Sequence, residues 1–354
     1  MNQTCRSMMQ IVGVCAAGWL AFANISASAE TAEDFFRSKG QVNIIVPTSA
    51  GGGYDSYARL VGKYMSKYLP GAPTIIVTDM PGGGGIAAAN YVYNIAAKDG
   101  SVFAILDRGS PTAPLLYGAD SKSQFDAVRF GWLGSAMSES GMGVVSAHAP
   151  ATTIEEAKKI PLFFGSTGPE TDPAMDVRLV NELLGTKLKA INGYKGQPEE
   201  FLAVEKGELH GLFMSGWSGP GRARVLAAVP AGQMKLLVQM SRERDPQAPD
   251  TPTLLDLVQN SDDRQMVELL LNRLTLGRPF VTPPGVPEDR LELLRAAFRQ
   301  AIDDPGLRAE AATQKLAIHP TYGADAQTII EQMYRVPPAL LERTRKIVRV
   351  SSDE

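Results

Sequence analysis

Cysteine is all but missing. The 354-residue chain holds two, Cys5 and Cys15, both within the first 29 residues. A mature chain without that segment has no disulfide, no thiolate nucleophile and no zinc–thiolate site. Histidine is scarce too. His148, His210 and His319 are the full set, and none stands beside a serine or carboxylate in a nucleophile or metal pattern. His210, between Leu209 and Gly211, reads as a satisfied strand residue. The G-x-S-x-G, H-E-x-x-H and P-loop motifs are all lacking. There is no basic excess either. The net charge is −3, or −4 once the first 29 residues and their lone Arg6 are set aside, which argues against nucleic acid and an anionic membrane as partners. The longest apolar run, 11–23, falls short of the roughly 20 residues a bilayer crossing needs. With Arg6 before it and Ala27-Ser28-Ala29 after it, this run reads as a secretory signal peptide over 1–29.

What is present suits a soluble α/β protein large enough for two cores: 44% hydrophobic residues, 34 glycines and 24 prolines. The chain is organised around residues 42–69, where a β-branched strand (42–46) is closed by Pro47. A glycine loop and an amphipathic helix follow, with Tyr57, Leu60, Val61, Tyr64, Met65 and Tyr68 at helical spacing. The loop brings Thr48, Ser49, Gly51, Gly52, Gly53 and Asp55 to a helix N-terminus, whose free N–H groups and dipole favour an anion. Three glycines exceed what a tight βα turn needs, so the loop reads as a ligand cradle, with a plain turn as the alternative. A second strand (74–78), a glycine run at 82–85 containing Gly84, and an alanine-rich helix (86–97) repeat the construction. A third strand (101–106) leads to Asp107 and the segment DRGSPTAPLLYG. In an open parallel sheet such loops converge where ligands bind.

Strands at 130–135 and 143–146 flank the small-residue stretch AMSESGM, which has the composition of a hinge. A second series then starts at Thr152. A strand (160–166) ends in Gly165 and Ser166, and Thr167, Gly168, Thr171 and Asp172 lead to a helix (176–184). Asp172 and Glu170 there either accept a ligand amine or hydroxyl or cap that helix. The strand 188–191 delivers Tyr194 in NGYKGQPEE, the strand 209–214 delivers Trp217 in SGWSGPGRA, and 234–240 is a further strand. Trp217 either lines a cleft or simply packs. Residues 245–257 read as a surface connection, 274–281 as a return strand, and helices at 288–302 and 325–334 close the chain. The basic ERTRKIVRV reads as a solvated helix face, with a docking surface as the alternative.

In this order, VPTSAGGGYDSYARL, IIVTDMPGGGGIAAANYV, KDGSVFAIL, GSTGPETDPAM, GYKGQPEEFLAVEKGELHGLF and TPPGVP resemble the TctC or Bug family of periplasmic solute-binding proteins across nearly the whole mature chain. The resemblance implies a type II periplasmic-binding-protein fold. Its two α/β domains, 30–136 with 271–354 and 137–270, would clamp a ligand between them. It implies a monomeric periplasmic receptor for a small carboxylate solute, passed to integral membrane transporter subunits that this chain does not contain, with no cofactor, no metal and no catalytic residue. Handover to a membrane sensor kinase is the alternative. Three positions depart from the family pattern: Glu170, Ala174 and Gly193 stand where it has glycine, histidine and proline. A dinucleotide oxidoreductase is the rival from another class, since Gly51-x-Gly53 and Asp79 mimic the Rossmann fingerprint. However, Ser56 takes the place of its third glycine, and export without a twin-arginine signal is the wrong route for a cofactor-loaded enzyme.

Overall fold

The computed structural model describes residues 30–169, 171–217 and 219–349; the expected leader over 1–29, and Glu170, lie outside the described residues. In chain order, α1 (Ala32–Lys39) leads into β1 (Gln41–Val46), α2 (Gly53–Tyr68), β2 (Thr74–Asp79), α3 (Ile86–Asn94), β3 (Val102–Ile105), α4 (Ala113–Tyr117) and β4 (Gly131–Ser135). A second series runs through β5 (Gly141–Ser146), α5 (Ile154–Ala157), β6 (Leu162–Ser166), α6 (Asp172–Leu184), β7 (Leu188–Asn192), α7 (Gln197–Glu205), β8 (Gly211–Met214), α8 (Gly219–Ala228), β9 (Met234–Met240), α9 (Leu254–Leu257) and α10 (Ser261–Thr275). The chain returns through β10 (Pro279–Thr282), α11 (Glu288–Asp303), α12 (Pro305–Thr313), β11 (Thr321–Tyr322), α13 (Gly323–Tyr334) and α14 (Pro338–Val348).

Two sheets result, in the orders β11-β4-β10-β3-β1-β2 and β7-β6-β8-β5-β9, each the core of one α/β domain. In the first, β1 pairs in parallel with β2 and β3, and β10 runs antiparallel between β3 and β4. In the second, β6 is parallel to β7 and β8, and β5 is antiparallel to β8 and β9. Each sheet therefore gathers the carboxyl ends of its parallel strands, with their loops, along one edge. The chain passes between the sheets twice, between β4 and β5 and between α10 and β10.

The local reasons are simple. The β1 strand is central, so Val42, Ile44, Ile45 and Val46 are all buried, as expected for a strand covered on both faces. Helix α2 buries Tyr57, Leu60, Val61, Tyr64 and Met65 along one stripe. Two regions differ from the sequence reading. Residues 245–257 are not mere surface, because Ala248, Thr253, Leu254 and Leu255 are buried. The Gln239 amide fastens this segment by donating to Ala248 O and Thr251 O. The return strand begins only at Pro279, because 261–275 is helical. Asn260 accepts from Asp262 N and Asp263 N at its start, acidic residues fill its first turn, and Leu269, Leu270, Leu271 and Leu274 are buried.

Three loops of the first domain meet at Gly85. Its φ is +90°, and a Cβ there would stand 2.7 Å from Asp107 Cβ and 3.2 Å from both Pro47 Cβ and Ser110 Oγ. Gly84, at φ +62°, has nothing within 4 Å of such a Cβ. Gly85→Ala should therefore destabilise the protein by about 2–4 kcal/mol, through backbone strain plus collision, and Gly84→Ala by only about 1–2 kcal/mol. Urea denaturation of the two variants checks this, and equal losses would show that the approach of the loops is not tight.

Candidate functional site

At the carboxyl edge of the first sheet, Gly52 caps α2 and Gly53 is its first residue. Of the three loop glycines, only Gly51 takes a left-handed φ, +80°. The Gly51 N–H donates to Asp55 Oδ2 at 2.7 Å, and Arg59 holds the other oxygen at 2.8 Å. Asp55 is thus buried and committed to shaping its own loop. Thr48 Oγ1, near Gly52, has no hydrogen-bond partner among the described residues. The Asp107 Oδ1 accepts from Gly109 N at 2.8 Å, closing the turn after β3, and Ser110 Oγ, buried next to Gly85, is unpartnered.

Across from these loops, Ser166 Oγ lies 2.8 Å from Thr171 Oγ1, and both hydroxyls donate to Gly168 O, at 2.9 and 2.7 Å. Gly193 N and Tyr194 N donate to Ser166 O, which joins this loop to the next. Gly165 is buried, Thr167 is exposed, and Gly84 is exposed on the opposite side. Thr171 is the N-cap of α6, so the helix begins at Asp172 rather than Asp176.

Between the two sets of loops lies a cluster of charge. Arg108, just beyond β3, forms ion pairs with Glu139, in the first crossing, and with Asp172, at the start of α6. Arg273, near the end of α10, pairs with Asp172 at 2.8 Å, and Arg278, at the second crossing, pairs with Glu139 at 2.9 Å. The Arg278 guanidinium also covers the Tyr54 ring at 4.5 Å and the Tyr57 ring at 5.3 Å. It reaches the glycine loop, since a Cβ on Gly53 would stand 3.6 Å from its Nη2. Arg108 N–H donates to the Tyr54 hydroxyl at 3.0 Å. Burial works to raise the Asp172 carboxyl, but Arg273 and then Arg108 outweigh it and hold the group below the usual carboxylate range. Asp176, one turn along α6, is pushed up to about 8 by burial and then by the Asp172 charge. The ion pairs of the cluster therefore join three guanidiniums to two carboxylates, with the Asp107 carboxylate close enough to act on Tyr54 as Arg278 and Arg108 do. The buried Nε atoms of Arg273 and Arg278 have no hydrogen-bond partner among the described residues.

A cavity of about 740 Å³ opens beside this cluster and shares Glu139 with it. Its apolar lining includes Met137, Trp217, Leu271 and Leu274, and its polar lining includes Ser138, Ser140, Arg222 and His319. The Trp217 indole N–H donates to Asp245 at 2.7 Å, and Arg222 pairs with the same carboxylate, so the ring has a fixed orientation. The glycine loops do not line this cavity; the ion cluster stands where the two sets of loops approach each other. Among the described residues, no group of three or more metal-ligating side chains could hold an ion, and no helix is long and apolar enough to cross a membrane.

A family model described as the tripartite tricarboxylate transporter family receptor, TctC, matches residues 57–337. The chain belongs to this family. A UPF0065 protein of Bordetella bronchiseptica is 24% identical over 277 residues, covering 75% of this chain and 74% of its own. A TctC solute-binding protein from Polaromonas, solved with no ligand, is 21% identical, with 87% of this chain and 97% of that one aligned at a TM-score of 0.66. MatC from Rhodopseudomonas palustris, solved with bound malate, is also 21% identical, with coverage of 87% and 99% and a TM-score of 0.52. At these identities the likeness carries the two-domain solute-binding fold. This TctC chain is a receptor rather than an enzyme.

In this TctC receptor the expected residues Thr48, Ser49, Gly51, Gly52, Gly53, Gly84 and Asp107 share the first domain's loop edge, and Gly165, Ser166, Thr167, Gly168, Thr171, Asp172, Tyr194 and Trp217 share the second's. Residue types alone did not reveal Arg108, Glu139, Arg273 and Arg278, nor Glu200. The Glu200 carboxyl is buried with both oxygens unpartnered and is pushed up to about 7 by burial and then by Glu199. A charged residue just past a strand, or inside a hinge, was the available signal.

Asp176 gives this TctC receptor a measurable pH dependence. Below the ordinary carboxyl pKa, native and unfolded chains both carry the proton. Between there and about 8 only the native form does, so stability falls as pH rises through that window. Asp176→Asn should match the wild type near about pH 4 and exceed it by about 1–3 kcal/mol near about pH 8. Urea midpoints across the range decide, and a gain independent of pH would show Asp176 to be ionised in the native state.

Proposed function

We propose that the protein is a periplasmic receptor, freed of its 1–29 leader, that closes its domains on a small organic acid and delivers it to the membrane subunits of a tripartite tricarboxylate-type transporter. The observation that carries the reading is the charge balance between the domains. Three guanidiniums, two of them with unpartnered Nε donors, face two carboxylates. Partly buried guanidiniums with unused donors favour a further anionic partner. Arg278 and the α2 N-terminus lie side by side at Gly53, so a solute carboxylate seated there would meet backbone N–H groups and a guanidinium together. The adjoining cavity, about 740 Å³, leaves room for the remainder of the molecule. Malate bound to MatC is in keeping with a dicarboxylate.

The test is a thermal-shift screen against mono-, di- and tricarboxylates, amino acids and aromatic acids. A binder should raise the melting temperature in step with ln(1 + [L]/Kd). In Arg278→Gln, affinity for the best acid should fall by roughly 10- to 150-fold. Silence across the whole panel, or an Arg278→Gln variant that binds as well as the wild type, would defeat the reading. Uptake of the identified acid should also be lost when the gene is deleted.

A further inference from the structure

Asp172 stands in an unusual position. It begins α6 in the second domain's loop edge, yet its partners are Arg108 of the first domain and Arg273 of α10. Thr171, not Asp172, is the helix N-cap, so the carboxylate is not used up in capping. Its charge is held by two guanidiniums, the groups that an incoming carboxylate would seek. A tethered carboxylate acts at a high effective concentration, far above that of a dilute solute. A free acid can take its place only with help from a second anchor. The other anchor in the cleft is the α2 N-terminus with Arg278, which already lies against Gly53.

We propose that Asp172 is a built-in competitor of the solute: its carboxylate occupies Arg108 and Arg273 until a solute carboxylate displaces it. The receptor is thereby restricted to acids that carry a second anionic group for the Arg278 and α2 anchor. This rests on the reading of the protein as an organic-acid receptor and narrows that reading to dicarboxylates and larger polyacids. A monocarboxylate has one anchor and loses the competition. Asp172 is on this account a specificity-determining residue that acts through Arg108 and Arg273. Its effect has a sign opposite to that of a binding residue.

Calorimetry with malate as the first probe, and then with whichever panel acid stabilises the wild type most, tests the idea. Asp172→Asn should bind the acid about tenfold tighter or more, because the competing charge is gone while a residue suited to a helix start remains. In a background where both partners are removed, Arg108→Gln with Arg273→Gln, the same substitution should change affinity by less than about twofold, a coupling that a merely structural role would not produce. Asp172→Ser, also at home in a first helical turn, serves if the asparagine variant does not fold. Unchanged or weaker binding in a variant with wild-type circular dichroism would overturn the proposal, since it would make Asp172 a positioner of the arginines or a ligand for a solute ammonium. Wild-type protein that binds no acid at all would instead defeat the underlying receptor reading.

Discussion

Charge held between the two domains is the constraint on which the remaining structure depends. A guanidinium taken out of water costs several kcal/mol unless it finds partners, and Arg108, Arg273 and Arg278 find theirs only because distant segments deliver them. Glu139 comes from the first crossing, Asp172 from the start of α6, and the Tyr54 and Tyr57 rings from α2. Removing either carboxylate would take the ion pair from one arginine, Arg278 or Arg273, and leave Arg108 with a single partner. Asp176 stays protonated near neutrality because it is buried and, secondly, because the Asp172 charge lies nearby.

The loops obey the same economy. Asp55, the acid in the first glycine loop, is occupied with Gly51 N–H and Arg59, and Ser166 and Thr171 are occupied with each other and with Gly168 O. These polar side chains shape the loops. Thr48 Oγ1, Ser110 Oγ, Ser215 Oγ and the two arginine Nε atoms are among the buried atoms without a hydrogen-bond partner among the described residues. The loops are thus fixed by their own hydrogen bonds, beside a set of buried polar groups with unused hydrogen-bonding capacity. Gly85 makes this possible by letting the second loop touch Asp107 and Ser110 without an intervening side chain.

Much of the fold was legible because strand and helix periods are local. The run from 42 to 69 shows its strand, loop and helix in the spacing of its apolar residues, and the same logic found the second series. It failed at 261–275, where seven of fifteen helix residues are buried and the leucine-rich end blends into the following strand. The site was legible only in part. Glycines and hydroxyls announce loops, whereas residues 108, 139, 172, 273 and 278 meet only because the chain crosses twice between sheets. No local pattern encodes that meeting. Asp172 was visible as a residue beside a helix start, but its partners lie 64 and 101 positions away.

The C-terminal helix adds a further step. Its basic residues, which on sequence alone read as a solvated face, are fastened to protein groups. Arg345 Nε donates to Leu115 O at 2.7 Å and Arg349 to Tyr117 O at 3.0 Å, both on α4. From the other side, Arg178 of α6 donates to Ile347 O at 2.8 Å and Val348 O at 3.1 Å, carbonyls at the end of α14 where a cation is favoured. The same Arg178 holds Pro169 O, in the loop before α6. The segment that follows Arg108 and the helix that begins with Asp172 are therefore both tied to α14. Exposed pairs such as Arg349–Asp120 contribute little, but charge-assisted bonds to carbonyls are stronger. Any motion that separates Arg108 from Asp172 must stretch or carry these bonds as well. The ion cluster and the seating of α14 are therefore joined by one set of bonds, through Arg178 of α6 and through the bonds of Arg345 and Arg349 to α4.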